Sequence, residues 1–242
     1  MYQLAIKQYL ERHGFEALSP KAVLFDMDGV LYDSMPNHAI AWQQSMAQFG
    51  IQMTADDAYA TEGARGVDTI RQMIMRQQNR EINEAEAQKM YDVKSHIFHG
   101  LPEAPVMPGI LDLMQQIHDD GIQIGIVTGS GQKPLIRRIL KDFGMFVDEA
   151  HITTAYDVRR GKPKPDPYLK GLRKAGNLQP HEAFVVENAP LGVRAGVAAN
   201  IFTIAVNTGP LPAQTLLDAN ADLLFPTMTD FSNNWKSLIQ SL

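Results

Sequence analysis

Short apolar runs that stop at a polar residue recur along the chain, and stretches with helical spacing lie between them. An apolar run of this length, bounded by turn-forming residues, is typical of a buried strand. Strands are predicted at 21–26, 122–128, 152–155, 183–187, 201–206 and 222–225. Helices are predicted at 2–18, 131–143, 166–175, 190–199 and from 229 onward. Strands that alternate with helices indicate an α/β fold with a doubly wound parallel sheet.

The segment 35–105 interrupts this alternation. It has helical spacing at 38–49, 68–79 and 84–98, no convincing strand, and a stiff segment with prolines at 102 and 105 at its end. We therefore expect a small all-α domain over 35–105, inserted into an α/β core domain made of 1–34 and 106–242. Residues 1–20 are predicted to add an N-terminal helix to the core, which Pro20 ends.

Two carboxylates follow the first predicted strand, in the segment Asp26-Met27-Asp28-Gly29. Side chains at i and i+2 of an extended segment share a face, and Gly29 lets the chain turn. One carboxylate can attack phosphorus while the other transfers a proton. A solvated Asx turn is the alternative for this segment alone. A calcium loop is excluded because Val30 stands where that motif needs Asp or Asn.

Polar residues also follow the second and third strands. Small residues in Thr128-Gly129-Ser130 can bring backbone N–H groups close to an anion, although glycines after strands are often simple turns. Lys162 lies between Gly161 and Pro163, in a segment whose alternating prolines block helix formation until Asp166, which is expected to cap the next helix. Such a lysine can stabilise charge on a phosphoryl oxygen, or it can be an ordinary surface residue, as we expect for Lys164.

The strand at 183–186 ends in the pair Glu187-Asn188. A buried acid at a strand end is unfavourable unless it is paired or binds a metal. Together with Asp26, this pair can supply hard oxygen ligands for Mg²⁺. The alternative is that it anchors the N-terminus of the following helix.

Composition narrows the function further. A formal charge of −5 argues against a nucleic-acid-binding surface, and the absence of cysteine excludes disulfides and a Cys nucleophile. The seven histidines lack the spacing of a zinc site. No apolar stretch is long enough to span a membrane, and the first twenty residues lack a signal-peptide core. A soluble, cytoplasmic protein is therefore expected.

The four motifs, in this order and at strand ends, resemble those of the haloacid dehalogenase-like (HAD) hydrolase superfamily. This resemblance covers residues from about Lys21 to the C-terminus and implies Mg²⁺ as cofactor. It also implies a set of roles. Asp26 would form an aspartyl-phosphate, and Asp28 would be the general acid/base. Thr128 and Lys162 would hold the phosphoryl group, with Gly129 and Ser130 beside it. The metal would be bound by Asp26, the Asp28 carbonyl, Glu187 and Asn188. The family often has Asp where Asn188 stands.

The helical insert is similar to the cap of β-phosphoglucomutases and related phosphatases. In mutases, an Arg on the cap loop and a Lys after the second motif hold the distal phosphate, and our alignment puts Gly66 and Gly131 at those positions. The cap loop carries Glu62 instead, which resembles a HAD subgroup that hydrolyses inorganic pyrophosphate. Glu62 is thus a candidate ligand of substrate-bound Mg²⁺, or else a helix-capping residue near Val67.

Two further cap residues are candidates for substrate binding. His38 matches a mutase-like position, and Lys94 lies in a Lys-x-x-x-Phe98 pattern that resembles a cap segment reaching into the site. The alternatives are a hinge or surface histidine and a solvated lysine.

The best prediction is a Mg²⁺-dependent phosphohydrolase of pyrophosphate or small phosphoesters, monomeric or weakly self-associating. The alternatives are a β-phosphoglucomutase-like mutase, a dehalogenase, which has no need of Asp28, and a non-enzymatic binding module, which would leave the motifs broken.

Overall fold

A computed structural model of the chain describes residues 2–130 and 133–242. Within these residues, six strands form one parallel sheet in the order β3-β2-β1-β4-β5-β6. They are β1 (Ala22–Phe25), β2 (Gln123–Val127), β3 (Ile152–Thr153), β4 (Ala183–Glu187), β5 (Phe202–Val206) and β6 (Leu223–Phe225). The predicted α/β class and parallel sheet are confirmed.

Helices of the described residues lie between these strands and in the 35–105 segment. They are α1 (Tyr2–His13), α2 (Met35–Ala47), α3 (Ala55–Ala60), α4 (Gly66–Gln78), α5 (Glu84–Gly100), α6 (Ile110–Asp119), α7 (Lys133–Phe143), α8 (Asp166–Lys174), α9 (Pro190–Ala198), α10 (Ala213–Leu217) and α11 (Met228–Ile239). Short 3₁₀ turns occur at Glu149–His151, Ala155–Asp157 and Pro180–Glu182.

Both faces of the sheet are covered, which is why its strands are apolar throughout. Along β1, Val23 and Phe25 join a large cluster with α1, α6 and α11, whereas Ala22 and Leu24 join a cluster on the α8 and α9 side. All four β1 residues are fully buried. The sheet is therefore a rigid platform whose carboxyl edge positions the predicted motifs.

The N-terminal helix is shorter than predicted. It ends at His13, because Gly14 adopts a left-handed φ of 69° and its N–H bonds to Leu10 O at 2.8 Å. The apolar spacing that extended the prediction belongs to Phe15 and Leu18, which pack on the core without helix. A further difference concerns Asp166, which is the first residue of α8 and accepts from Arg160 instead of capping the helix.

Helices α2 to α5 pack around a separate apolar cluster that includes Trp42, Met46, Ile70, Met73 and Met90. The largest contacts are between α2 and α5 and between α4 and α5. We propose that this group is the cap domain that the sequence predicts. The structure also adds α3, α6 and α10, to which no predicted element corresponds.

Candidate functional site

The predicted site residues meet because three neighbouring strands end side by side. Phe25 pairs with Ile126 of β2 and with Val186 of β4, so that Asp26 follows directly beside Val127 and Glu187. The hydrogen-bond ladder between β1 and β4 extends one residue past the strand, because the Asp26 N–H donates to Val186 O at 3.0 Å. Parallel strands thus bring motifs that are distant in sequence to one edge.

After Asp26 the chain makes a tight turn. Gly29 has a φ of 77°, and a Cβ there would lie 1.9 Å from the Nδ2 atom of Asn188. Thr208 donates to Gly29 O at 2.6 Å and ties the turn to the loop that follows β5. Glycine is therefore required both by the backbone and by the approach of Asn188.

Lys162 lies between the first and last motifs. Its Nζ donates to Asp26 Oδ1 at 2.5 Å and to Val127 O at 3.1 Å, and it lies 2.6 Å from Glu187 Oε1. Burial alone lowers the pKa of Lys162, but the two carboxylates outweigh burial and raise it. The ammonium is therefore a fixed positive charge next to Asp26, in the position where a phosphoryl oxygen would gain from it.

Burial and the neighbouring carboxylate of Glu187 raise the pKa of Asp26 to about 7, against the opposite effect of Lys162. A further cation beside Asp26 would favour its ionised form and lower this pKa. Thr128 lies alongside, buried, and its Oγ1 accepts the Ser130 N–H at 3.0 Å.

A second chain of contacts reaches Asp28 from the cap. Lys94 Nζ lies 2.8 Å from His38 Nδ1, and His38 Nε2 lies 3.0 Å from Asp28 Oδ1. An ammonium can only donate, so Nδ1 accepts and Nε2 carries the proton that goes to Asp28. Burial and the charge of Lys94 lower the pKa of His38, which agrees with a neutral ring.

These contacts set the protonation state of Asp28. Burial raises the pKa of Asp28, but His38, Ser34 and Lys94 outweigh burial and lower it to about 2. Ser34 Oγ donates to the same carboxylate oxygen at 2.6 Å. Asp28 is therefore ionised at neutral pH and held in one orientation by groups from both parts of the chain.

Glu62 projects from the cap loop toward the same two acids. Burial, followed by Asp28 and Asp26, raises the pKa of Glu62 to about 8. The capping alternative does not hold, since α4 begins after Arg65 and has no side-chain cap. Three carboxyl groups thus face one another at the junction of cap and core.

The cap loop fits against the core through glycines. A Cβ on Gly63 would lie 3.1 Å from Cδ of Lys162, and one on Gly129 would lie 3.2 Å from Gly63 O. A Cβ on Gly161 would lie 2.8 Å from Cγ of Arg65. A side chain at Gly161 would force Arg65 to shift, and one at Gly63 or Gly129 would require its neighbour to move by a few tenths of an ångström, so the glycines allow close contact.

The space between these groups is small, about 40 Å³, and partly open to solvent. Its lining includes Asp28, His38, Glu62, Lys94 and Ser130. At about 10–15 Å³ of such volume for each water, it has room for about three water molecules.

An oxygen-rich set of donors suits Mg²⁺. The Oδ1 atom of Asn188 is buried and has no hydrogen-bond partner among the described residues, and it lies at the same strand edge as Asp26. Glu187 is already bound by Lys162 and by the Tyr168 hydroxyl at 2.7 Å. Across residues 2–130 and 133–242, no cluster of three His, Asp or Glu side chains has metal-binding geometry. An ion here would therefore also need Asn188 and backbone oxygens, as the resemblance implies.

Several site residues are not predicted from the sequence. Tyr168 supports Glu187, Ser34 supports Asp28, and Phe98 packs on His38 with ring centroids 4.3 Å apart. Lys94 lies over the rings of Trp42 and Phe98, at 5.1 and 4.8 Å. Tyr168, Ser34 and Trp42 have no sequence signal beyond helical spacing, whereas Lys94 and Phe98 belong to the Lys-x-x-x-Phe98 cap pattern of the sequence. The predicted mutase position Gly131 lies outside the described residues.

Within the described residues, no helix is both long and apolar enough to cross a lipid bilayer.

Comparison with known proteins gives a consistent family. Residues 20–200 match the family model described as haloacid dehalogenase-like hydrolase. Hexitol phosphatase A of Escherichia coli (strain K12) is 34% identical over 208 residues, which cover 86% of this chain and 91% of that protein. The β-phosphoglucomutase of Bacillus subtilis (strain 168) is 28% identical over 84% of this chain and 91% of its own.

A solved structure from Bacteroides vulgatus, provisionally named a β-phosphoglucomutase, matches the whole chain with a TM-score of 0.95. It is 46% identical, and 98% of its own chain is covered.

Proposed function

The chain belongs to the haloacid dehalogenase-like hydrolase family, and on this premise we propose that it hydrolyses small phosphorylated sugars or sugar alcohols with Mg²⁺ as cofactor. The observation that carries the proposal is the pair of supported carboxylates, Asp26 bound by Lys162 and Asp28 bound through His38 to Lys94. One is arranged as nucleophile and the other as proton-transfer group.

In the first step, an Asp26 oxygen forms a bond to phosphorus and the bond from phosphorus to the substrate oxygen breaks. The departing oxygen takes up a proton from Asp28, which has received that proton from the monoanionic phosphate group of the bound substrate. Lys162 and Thr128 stabilise the charge on the phosphoryl oxygens. Bound Mg²⁺, held by Asp26, the Asp28 carbonyl, Asn188 and Glu187, would neutralise charge on the same oxygens.

In the second step, water attacks the aspartyl-phosphate, the bond from phosphorus to Asp26 breaks, and Asp28 takes the proton of the water. Ionised Asp28 suits this role, and a pKa of about 2 makes the ionised form the one that is present before substrate binds. Inorganic phosphate and free Asp26 are the products.

Hydrolysis is favoured over mutase chemistry by the surroundings of Gly66. A mutase of this type needs a cation there to hold a distal phosphate. A Cβ at Gly66 would lie 2.1 Å from the ring of Tyr91, so this ring occupies the direction a side chain would take. The nearby Arg65 points elsewhere, since its guanidinium binds Arg159 O and lies beside Asp68 and Glu84.

The relatives favour sugar-phosphate substrates over the pyrophosphate that the sequence suggests, because those named above are a hexitol phosphatase and β-phosphoglucomutases. The relatives therefore support the predicted alternative, a sugar-phosphate mutase, better than they support pyrophosphate hydrolysis. Because the ring of Tyr91 fills the space beside Gly66, where a mutase needs a phosphate-binding cation, we propose hydrolysis and not a mutase reaction.

Inorganic pyrophosphate stays a second candidate because of Glu62. A carboxyl group facing Asp26 and Asp28 repels a bare anion but suits a substrate that arrives as a magnesium complex. The leaving group of pyrophosphate is itself an acidic phosphate, so its departure needs little help from a protonated Asp28. The space of about 40 Å³ is also compatible with a small substrate.

The test is phosphate release from a panel of pyrophosphate, polyol phosphates, hexose phosphates and nucleotides, with added Mg²⁺. Conversion of β-glucose 1-phosphate to glucose 6-phosphate is measured in parallel. Release from polyol or sugar phosphates supports the main proposal, and a pyrophosphate rate far above all others selects the second. Isomerisation without net phosphate release would instead establish a mutase.

A further inference from the structure

The small site cavity adjoins a second one, and the two share a wall. The second cavity, of about 270 Å³, is lined by Arg65, Glu84, Gln88 and Tyr156. Gly66, Tyr91 and Gly129 line both cavities. Of these three residues, only Tyr91 has a side chain, so its ring separates the two cavities.

The position of this ring depends on the glycine opposite. A Cβ at Gly66 would lie 2.1 Å from both Cδ2 and Cε2 of Tyr91, closer than any real contact. The ring therefore lies directly against bare backbone. On its other side, Trp42 has its ring centroid 6.2 Å away, and Lys94 Nζ lies 5.9 Å from the Tyr91 ring centre.

The two cavities differ in size and chemistry. The site cavity is the smaller, about 40 Å³ against about 270 Å³, so a six-carbon chain has more room beyond the ring of Tyr91 than in front of it. Arg65, Glu84 and Gln88 on the far side can hydrogen-bond to the hydroxyls of a polyol, and Val67 and Ala155 add apolar lining beside them.

We infer that the ring of Tyr91 sets the length of substrate that the site accepts, and that the cavity behind it receives the hydroxylated end of longer polyol phosphates once the ring is removed. This inference rests on the proposed function and narrows it to short phosphorylated polyols and similarly small phosphates. Tyr91 is in this sense a specificity-determining residue rather than a participant in bond making.

The experiment measures kcat/KM for glycerol phosphate, erythritol phosphate, sorbitol phosphate and hexyl phosphate in wild type, Tyr91→Phe and Tyr91→Ala. Wild type and Tyr91→Phe should both prefer glycerol phosphate over sorbitol phosphate, because both keep the ring. Tyr91→Ala should raise the sorbitol-to-glycerol ratio by about tenfold or more, the scale on which a pocket discriminates chain length. Hexyl phosphate should gain less than sorbitol phosphate, since only sorbitol phosphate has hydroxyls to which Arg65, Glu84 and Gln88 can hydrogen-bond.

Each outcome bears on a different claim. The same ratio in all three proteins would overturn the role of Tyr91 and leave hydrolysis intact. An equal gain for hexyl and sorbitol phosphates would overturn the assignment of a polyol subsite. No phosphate release by wild type from any ester would overturn the proposed function and this inference with it. Thermal unfolding of each variant checks folding, and Tyr91→Leu, which keeps apolar packing on Trp42, replaces Tyr91→Ala if the latter does not fold.

Discussion

Replacing Lys94 by methionine should make the protein more stable and less active at once. Lys94 is only 4% exposed, and its ammonium is enclosed by His38 and the rings of Trp42, Tyr91 and Phe98. Burial lowers its pKa from 10.5 to about 8, although Glu62 and Asp28 oppose this. Methionine keeps the length and the apolar contacts of the side chain while removing the charge.

The magnitude follows from the pKa. The difference between 10.5 and about 8 means that folding disfavours the charged form of Lys94 by about 3 kcal/mol. Methionine forgoes the cation–π contacts with three rings, together worth about 1–2 kcal/mol. The net gain in the free energy of unfolding at neutral pH is then about 1–2 kcal/mol, which corresponds to a Tm increase of about 2–8 °C for a chain of this size.

The gain has a defined pH dependence. Because the folded-state pKa of Lys94 is the lower one, the charged form is penalised fully below about pH 8. Between about pH 8 and 10.5 the unfolded state binds more protons, so the stability of wild type rises with pH and approaches that of the variant. The stabilisation by Lys94→Met should therefore be largest at neutral pH and shrink toward pH 10.

Activity should change in the opposite direction. Without the ammonium, His38 loses the donor that fixes its tautomer, and Asp28 loses one of the groups that keep it ionised. We expect kcat/KM to fall by about 10²–10³, the range of a disabled proton-transfer group. Wild-type activity should also decline above about pH 8, where Lys94 loses its proton, and this limb should be absent in Lys94→Met.

The assay combines thermal unfolding with kcat/KM across the pH range in wild type, Lys94→Met and Lys89→Met. Lys89 lies on the same helix and is exposed, so its replacement should change neither quantity. A Tm for Lys94→Met below that of wild type at neutral pH would refute the argument that this charge is destabilising. Unchanged kcat/KM would refute its role in orienting His38.

Three further predictions address the chemistry. Asp26→Asn should keep the fold and lose essentially all turnover, because an amide is a poor nucleophile; a rate within about tenfold of wild type would exclude Asp26 as nucleophile. Chelation should abolish phosphate release and Mg²⁺ should restore it, with Ca²⁺ a poor substitute because its coordination is looser; full activity after exhaustive chelation would contradict the oxygen-donor site at Asn188. Glu62→Gln should lower kcat/KM for pyrophosphate by about 2–4 kcal/mol in activation free energy and affect monoesters much less, if this carboxylate contacts substrate-bound Mg²⁺; an equal small loss on every substrate would leave Glu62 a structural residue.

Local pattern was enough for most of the fold. The six predicted strands all form, because an apolar run bounded by turn residues has few alternatives other than a buried strand. Ends of helices were less certain, as α1 shows: the apolar spacing continues through Phe15 and Leu18, but Gly14 ends the helix. The helix α6 was not predicted, although its apolar residues Ile110, Leu113, Met114 and Ile117 have the spacing of an amphipathic helix.

The convergence of Asp26, Thr128, Lys162 and Glu187 follows from the sequence, because strands that all run in the same direction place their carboxyl ends at one edge of the sheet. Three contacts depend on the packing of the folded chain: Lys94 reaches Asp28 through His38, Tyr168 supports Glu187, and Tyr91 fills the space beside Gly66. Periodicity tells which face of a helix is buried, but it carries no information on which residue of another helix, dozens of positions away, that face will meet. The chemistry of the site therefore follows from local sequence, whereas the protonation of Asp28 and the size of the cavity depend on how the cap helices pack against one another and onto the core.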